Sequence, residues 1–237
     1  MRLLLGVLLN VGSNSTSPNG RGRIFEDYSF EYLPIPEEKT TRQHVPTYGE
    51  LGFGRVKHPN LLVHLDPRFD TYTYGHVRRG FGDIKRLLEL NTNDVLFFHA
   101  TLQRENGWST YIIGYFRIAK VYDCRRLAKS EIHNFHCRGF ADNAHLKRSD
   151  PSVDLFVKGG SGSKRLPKAF PLAEEVNTRA LRKPLRSIIR TVTGKEIKPG
   201  SPWFRWTLTC KEPALLLRMI AHHGHNCAPV AVSEPAF

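Results

Sequence analysis

The sequence predicts an α+β fold, in which a mixed β-barrel core carries flanking helices and a helical C-terminal part. Two strong strand patterns, at 94–103 and 109–123, enclose a short turn that contains Asn106 and Gly107. This dipeptide is typical of tight β-hairpins. Helical periodicity is confined to one segment before this hairpin and to the last third of the chain. The 237 residues are enough for a substantial core.

Short apolar runs predict the other strands of the core. Residues 2–11 are rich in Leu and Val, and we interpret them as a first buried strand because the run is short for a signal peptide. The runs at 61–67 and 153–157 have the same character. Another alternating segment ends at Pro34 and Pro36, where a central strand would lose its backbone donors.

The helical patterns suggest how the chain is divided. Ile84, Leu87 and Leu88 fall on one face of a short helix. Residues 171–194 are helical in pattern with a break at Pro184. The last helix has Pro213 in its first turn and Gly224 past its end. We therefore expect a β-rich core at 1–172 and a helical extension at 173–237, packed together as one unit.

The charge of the chain points to a polyanionic partner. Thirty-five Lys and Arg against 22 Asp and Glu give a net charge of +13. Such an excess favours binding to DNA or RNA, because basic side chains release counterions from a phosphate backbone. The alternative is a basic surface without a partner. No apolar run approaches the roughly 18 residues of a membrane span, so we expect no membrane partner. Four scattered cysteines predict a reducing, cytoplasmic location.

The glycine-rich stretch DLFVKGGSGSKRL, at 154–166, is a candidate phosphate-binding loop. It is not a Walker A loop, because Ser163 stands where that motif has glycine and Arg165 where it has a hydroxyl residue. Its backbone N–H groups and basic side chains could instead hold one phosphate of a nucleic acid. The alternative is a plain connection from a strand to a helix. The candidate residues are Lys158, Gly160, Ser161, Ser163, Lys164 and Arg165.

Two polar motifs could supply chemistry or read a base. His64 and Asp66 lie two residues apart, so a strand would place them on one face, where the carboxylate could orient the imidazole. The alternative is an Asp-Pro turn. An amide and an imidazole in NAHLKR could read the edge of an extruded base while basic residues bind phosphates; the residues are Asn143, His145, Lys147 and Arg148. The alternative is a solvated loop.

Aromatic and metal-binding candidates are less complete. Tyr72, Tyr74 and Trp108 could stack on a base, and we expect the two tyrosines to be exposed. Two groups of Cys and His residues are candidate zinc sites, but neither contains the two closely spaced ligand pairs that such sites usually have. They are Cys124, His133, His136 and Cys137, and then His222, His223, His225 and Cys227. We therefore predict no metal and no cofactor.

Two resemblances follow from these segments. DVLFFHATL and YIIGYFRIAKV resemble the barrel hairpin of PUA-like domains, the group of the EVE, ASCH and YTH modules, which bind RNA or modified bases in DNA. A longer ordered set resembles the nucleotide-modification-associated domain family, third type, over about residues 1–172. The set comprises LPIPE, TYGEL, HLDPRF, GDIKRLLELNTNDVLFFHATL, YIIGYFRIAKV, NAHLKR and KGGSGSKRLPKAFPL. This family resemblance implies a role beside base-modifying enzymes and brings no established catalytic residues.

Three functional hypotheses remain open at this stage. The first is a nucleic-acid-binding protein that recognises a modified base through a pocket and basic loops. The second is an enzyme acting on a nucleotide or nucleic-acid base with His64 and Asp66, or with His145. The third is a structural partner of base-modification or restriction enzymes.

Overall fold

The computed structural model describes residues 4–12, 17–77, 83–104, 107–151, 153–172, 186–194 and 207–226. Nine strands and five α-helices are assigned in these ranges. The strands are β1 (Gly6–Asn10), β2 (Ile35–Pro36), β3 (Val63–His64), β4 (Thr73–His76), β5 (Val95–Arg104), β6 (Gly107–Asp123), β7 (Leu155–Gly159), β8 (Lys164–Pro171) and β9 (Leu208–Cys210). The helices are α1 (Asp83–Leu88), α2 (Lys129–His133), α3 (Ala144–Lys147), α4 (Arg186–Thr193) and α5 (Pro213–Asn226), with a 3₁₀ turn at Asn134–Arg138. Within these ranges, no helix has the length and apolar character needed to cross a membrane.

Seven strands form one mixed sheet. The order along it is β4-β7-β6-β5-β1-β9, and β8 also pairs with β6. Strands β1 and β5 are parallel, and the other pairs are antiparallel. Strands β2 and β3 form a separate two-stranded sheet. The α+β class is therefore confirmed. No pairing joins β4 to β9 among the described strands, so these strands do not close the barrel that we expected.

The predicted hairpin is the centre of the sheet. Strands β5 and β6 pair from Val95–Arg117 to Arg104–Gly107. The turn residue Asn106 lies outside the described residues. Along its other edge, β6 pairs first with β8 and then with β7, and the register shifts next to Gly114. A side chain at Gly114 would come within 2.3 Å of the Phe69 ring. Glycine is required here because the 66–73 loop packs directly on the sheet.

Both faces of the hairpin are buried. Leu96 and Phe98 of β5 enter one core, and Val95 and Phe97 enter the other. A strand buried on both faces needs apolar residues throughout, which explains the continuous apolar pattern of β5. The second face is covered in part by α4 and α5, which contribute Val192, Leu216 and Ile220 to its core. Helix α5 includes Gly224 and ends at Asn226, so the predicted stop at Gly224 is wrong.

Candidate functional site

The loops beside β2, β3 and α3 bring five polar residues together in the interior. We call these residues the buried cluster: Glu37, His64, Asp66, His145 and Arg148. His64 ends β3, Asp66 follows two residues later, and Glu37 comes directly after β2, the partner strand of β3. The His64 and Asp66 side chains are 6% and 3% exposed. The sequence predicted His64 with Asp66, or alternatively His145, as catalytic candidates, and the fold places all three side by side.

Asp66 is held by donors from two segments. The backbone N–H of Gly75 lies 3.1 Å from each of its carboxylate oxygens, and Asn143 Nδ2 donates to Oδ1 at 3.2 Å. The hydroxyl of Tyr32 donates to the Asp66 carbonyl at 3.2 Å. A Cβ at position 75 would lie 2.4 Å from His145 Cδ2. Position 75 therefore requires glycine, so that backbone, carboxylate and imidazole can approach one another.

Glu37 links His64 to Arg148. His64 Nδ1 lies 2.6 Å from Glu37 Oε2, and Arg148 Nε lies 3.1–3.2 Å from the two carboxylate oxygens. A carboxylate only accepts, so Nδ1 of His64 carries the proton and donates it to Glu37. Burial raises the pKa of Glu37, but the hydrogen bonds from His64 and Arg148 outweigh it and bring the pKa to about 2. Glu37 is thus a buried carboxylate that remains ionised.

His145 lies between Arg148 and Asp66. Its Nδ1 is 3.1 Å from Arg148 Nη1, and its Nε2 is 3.4 Å from Asp66 Oδ2. A guanidinium only donates, so Nδ1 accepts and the proton of the neutral ring is on Nε2. Burial lowers the pKa of His145, and the carboxylate of Asp66 offsets this shift only in part. The carboxylate of Asp66 therefore faces His145, and Glu37 takes the orienting role at His64 that the sequence assigned to Asp66.

The NAHLKR segment is more structural than predicted. Asn143 is fully buried and is the N-cap of α3, where its side-chain oxygen accepts from the His145 N–H at 3.1 Å. Its amide nitrogen is bound to Asp66, so neither end of the amide faces a ligand. Lys147 Nζ lies 3.7 Å from Asp142. Arg148 was predicted to bind phosphate, but its guanidinium pairs with Glu37 inside the buried cluster.

The glycine-rich stretch is a turn between β7 and β8, not the start of a helix. Gly160 N–H donates to Arg117 O at 2.7 Å, and Ser163 N–H donates to Gly160 O at 3.1 Å. The Ser163 hydroxyl accepts from Arg117 N–H at 3.0 Å. These groups close the turn, so the Gly160 and Ser163 amides and the Ser163 hydroxyl already have partners within the protein. Ser161 lies at the exposed tip, and Gly162 has the left-handed φ of 85° that glycine adopts readily.

Four basic side chains lie around this turn, three of them exposed and Arg117 half-buried. We call Arg117, Lys120, Lys164 and Arg165 the basic strip. Within the part of the chain that the structure describes, none of the four forms an ion pair with an acidic residue, and Arg165 lies over the Phe30 ring at 5.5 Å. Lys158 faces elsewhere, since its Nζ donates to the carbonyls of Thr71 and Gly139.

The predicted aromatic residues lie in different environments. Tyr74 is buried and its hydroxyl contacts His76 Nδ1 at 2.7 Å, so the exposure expected for it is wrong. Tyr72 is half-buried and packs on Phe116. Trp108 is half-buried and carries the Arg21 guanidinium 4.6 Å from its ring centroid. Of these three aromatic residues, Trp108 is the one whose ring lies near the end of a strand, where a base could stack on it.

The Cys and His groups weighed as zinc sites do not converge in the described residues. Cys124 is buried with its Sγ toward Tyr122 O, whereas Cys137 is exposed. The rings of His133 and His136 stack with centroids 6.3 Å apart. His223 Nε2 contacts Ala169 O, and Cys227 lies outside the described residues. The group that could hold a metal ion is instead His64, Asp66 and His145, with one ligand atom of each within 4.8 Å of the others.

Sequence reasoning missed Glu37 and the true role of Arg148. Glu37 follows Pro36, where the alternating segment was expected to end, and it is 111 residues from Arg148. The bridge between Thr41 and Arg148 brings these segments together. No local pattern signals such a contact. The one indication of a role for Glu37 was its charge directly after a short strand.

Comparison with known proteins assigns the chain to a family. The model of "Nucleotide modification associated domain 3" matches residues 6–215, which includes the buried cluster and the basic strip. No curated protein and no solved structure shows significant similarity to the chain. The match covers well over half of the sequence and agrees with the ordered motifs described above. The chain therefore belongs to the nucleotide modification associated domain 3 family, which associates it with nucleotide modification.

Proposed function

We propose that this protein binds DNA or RNA and recognises a base, modified or to be modified, at the buried cluster. The observation that supports this most strongly is the cluster itself. Two imidazoles, two carboxylates and a guanidinium are costly to bury unless they are arranged for a purpose or fully paired. His64 and Arg148 have the cluster's most exposed side chains, at 6% and 12%. Their donors and acceptors suit the polar edge of an extruded base.

The basic strip would hold the adjacent backbone. Side chains, more than turn amides, would contact the phosphates, because the Gly160 and Ser163 amides are used internally. Arg165 pairs with Gly114 in the sheet, and Gly114 lies against the Phe69 ring of the loop that follows Asp66. These contacts support a basic strip close to the loop that carries Asp66. A strand lying on Lys164 and Arg165 could therefore present a base toward His64.

Finer features of the proposal rest on the resemblances. A PUA-like origin would fit the bent β5–β6 hairpin and a base-binding role. The chain would then work beside base-modification or restriction enzymes, with residues 1–172 as the core unit and 173–237 packed on it. Trp108, at the end of this hairpin, would be the stacking ring.

The binding proposal is tested with labelled duplexes and single strands over a salt series. We expect measurable binding that weakens steeply with salt, since each phosphate contact contributes about 0.7–0.9 to the logarithmic slope. Absence of binding at about 50 mM salt would contradict the proposal, because phosphate contacts are strongest at low salt. Oligonucleotides with and without modified bases then measure specificity.

A second candidate function is catalysis on the base, with His64, Asp66 and His145 as the catalytic residues. The juxtaposition of all three, with Glu37 orienting the His64 ring, favours it. Incubation with plain and modified oligonucleotides, followed by mass spectrometry of the nucleosides, distinguishes the two. A mass change that disappears in His64→Ala and His145→Ala supports catalysis. Binding without a mass change supports recognition alone.

A further inference from the structure

We propose that His64, Asp66 and His145 bind a divalent transition-metal ion. This goes beyond base recognition and does not depend on nucleic acid. Two imidazoles and one carboxylate form a donor set used by zinc and non-haem iron(II) sites. Magnesium and calcium prefer oxygen ligands throughout, so the donor set selects against them.

The separation of two of the ligand atoms fits a shared ion. His145 Nε2 and Asp66 Oδ2 are 3.4 Å apart, which is long for a charge-assisted hydrogen bond. Two atoms that each lie about 2.1 Å from an ion in tetrahedral geometry are about 3.4 Å apart. One ligand atom of each of the three residues lies within 4.8 Å of the others, so small side-chain rotations would complete the set.

His64 has the arrangement of a metal-binding histidine. Its Nδ1 donates to Glu37 at 2.6 Å, which leaves the lone pair on Nε2. A carboxylate on the far nitrogen is the usual outer partner of a histidine ligand, because it fixes the ring and raises its basicity. Nε2 has no hydrogen-bond partner among the described residues, so its lone pair is open to water or to a metal ion. A metal ion would supply the missing partner.

The charges of the cluster also leave room for a cation. Glu37 and Arg148 neutralise each other through contacts of 3.1–3.2 Å. Asp66 accepts from the neutral Gly75 and Asn143, and no Lys or Arg forms an ion pair with it in the described part of the chain. One buried negative charge therefore remains. Binding at His145 Nε2 moves that ring's proton to Nδ1, and Arg148 then gives up its contact there while keeping Glu37.

Cobalt(II) is the probe that tests this site, because its visible absorption reports coordination by nitrogen and oxygen. The full-length protein is treated with EDTA, dialysed, and titrated with Co²⁺, and then separately with Zn²⁺ and Mg²⁺. We expect a single Co²⁺ per chain, displacement by Zn²⁺, no competition by Mg²⁺, and a rise in melting temperature on metal addition. No absorption change and no thermal shift in the wild-type protein would overturn the proposal.

Variants locate the ion. His64→Ala and Asp66→Asn should abolish the Co²⁺ spectrum, and Glu37→Gln should weaken binding by about 10–100-fold. The control is His133→Ala/His136→Ala, which removes the alternative histidine pair and should bind Co²⁺ normally. Equal binding in His64→Ala would overturn the assignment, as would loss in the control. Circular dichroism checks that each variant is folded. If a variant is unfolded, the wild-type titration still tests the proposal. Nucleic acid is absent throughout, so failure here leaves the binding proposal intact.

Discussion

The buried cluster and the basic strip carry similar side chains in opposite environments. The cluster joins residues up to 111 positions apart, and its carboxylates and its guanidinium have hydrogen-bond partners at fixed distances. The strip comes from β6 and β8, and its exposed cations Lys120, Lys164 and Arg165 face water without acidic partners in the described residues. Low dielectric strengthens the first set of interactions, whereas solvent and salt screen the second. The cluster should therefore govern stability and chemistry, and the strip should govern affinity for a polyanion.

The largest expected effect comes from removing the guanidinium of the cluster. Arg148→Met leaves Glu37 ionised and buried without its cation, so we expect a loss of about 3–5 kcal/mol in the free energy of unfolding. Urea denaturation in the presence of EDTA measures it. The matched control is Arg125→Met, which breaks an equally close pair with Asp123 at the surface. That change should cost about 0–1 kcal/mol. Equal losses would show that burial does not distinguish the two pairs.

The next effect tests the close approach inside the cluster. Gly75→Ala puts a methyl group 2.4 Å from His145 Cδ2 and 3.1 Å from Asn143 Oδ1. We expect a loss of about 1–3 kcal/mol, since the surrounding groups are fixed by hydrogen bonds and cannot move freely. Gly54→Ala meets nothing within 4 Å and serves as the control. It should be neutral or stabilising by up to about 1 kcal/mol, through the unfolded chain. A neutral Gly75→Ala would mean that the cluster is looser than its distances indicate.

A smaller effect is expected at the edge of the cluster. Tyr32→Phe removes the hydroxyl that donates to Asp66 O, and we expect a loss of about 1 kcal/mol. Thermal and urea unfolding measure it. Tyr28→Phe removes a hydroxyl for which the described residues show no hydrogen bond, so it should change stability by less than about 0.5 kcal/mol. If Tyr28→Phe lost more stability than Tyr32→Phe, the loss in Tyr32→Phe could not be assigned to the hydrogen bond with Asp66 O.

The sequence predicted the local features of both regions better than their contacts. Alternation and the apolar run located β5 and β6, because strand periodicity is a local property. Strand β4 was missed, since Thr73–His76 is short and contains both Gly75 and His76, and its pairing with β7 comes from the fold. The turn before β8 was assigned to a phosphate cradle, because nothing local shows that Gly160 and Ser163 bond back to Arg117.

In the candidate site, too, the sequence predicted local features but not the long-range contacts. The spacing of His64 and Asp66, with His145 in a polar motif, was enough to nominate the three residues. The pairing of the carboxylates with the imidazoles depends on Glu37. The β2–β3 pairing and the Thr41–Arg148 bridge bring Glu37 to the site. Such long-range contacts leave no periodic signature in the sequence. The predicted absence of a metal followed from searching Cys and His groups alone, without the mixed set of two histidines and an aspartate.

The change with the smallest expected effect on stability should have the clearest effect on affinity for nucleic acid. Lys164→Ala/Arg165→Ala removes two exposed cations of the basic strip and should change the free energy of unfolding by less than about 1 kcal/mol, mostly through the Arg165–Phe30 contact. If both side chains contact phosphates, the logarithmic salt slope for duplex binding should fall by about 1.8. Fluorescence anisotropy over a salt series measures both the slope and the affinity.

A matched double variant shows whether position matters in this experiment. Arg125→Ala/Lys129→Ala also removes two positive charges, but Arg125 is paired with Asp123 and Lys129 with Asp150. These cations already have anionic partners, so their loss should leave the salt slope nearly unchanged. An equal fall in both double variants would mean that net charge alone attracts the nucleic acid and that the basic strip is not its binding surface. A fall confined to Lys164→Ala/Arg165→Ala would place the backbone beside the turn, where Arg165 pairs with Gly114 in the sheet.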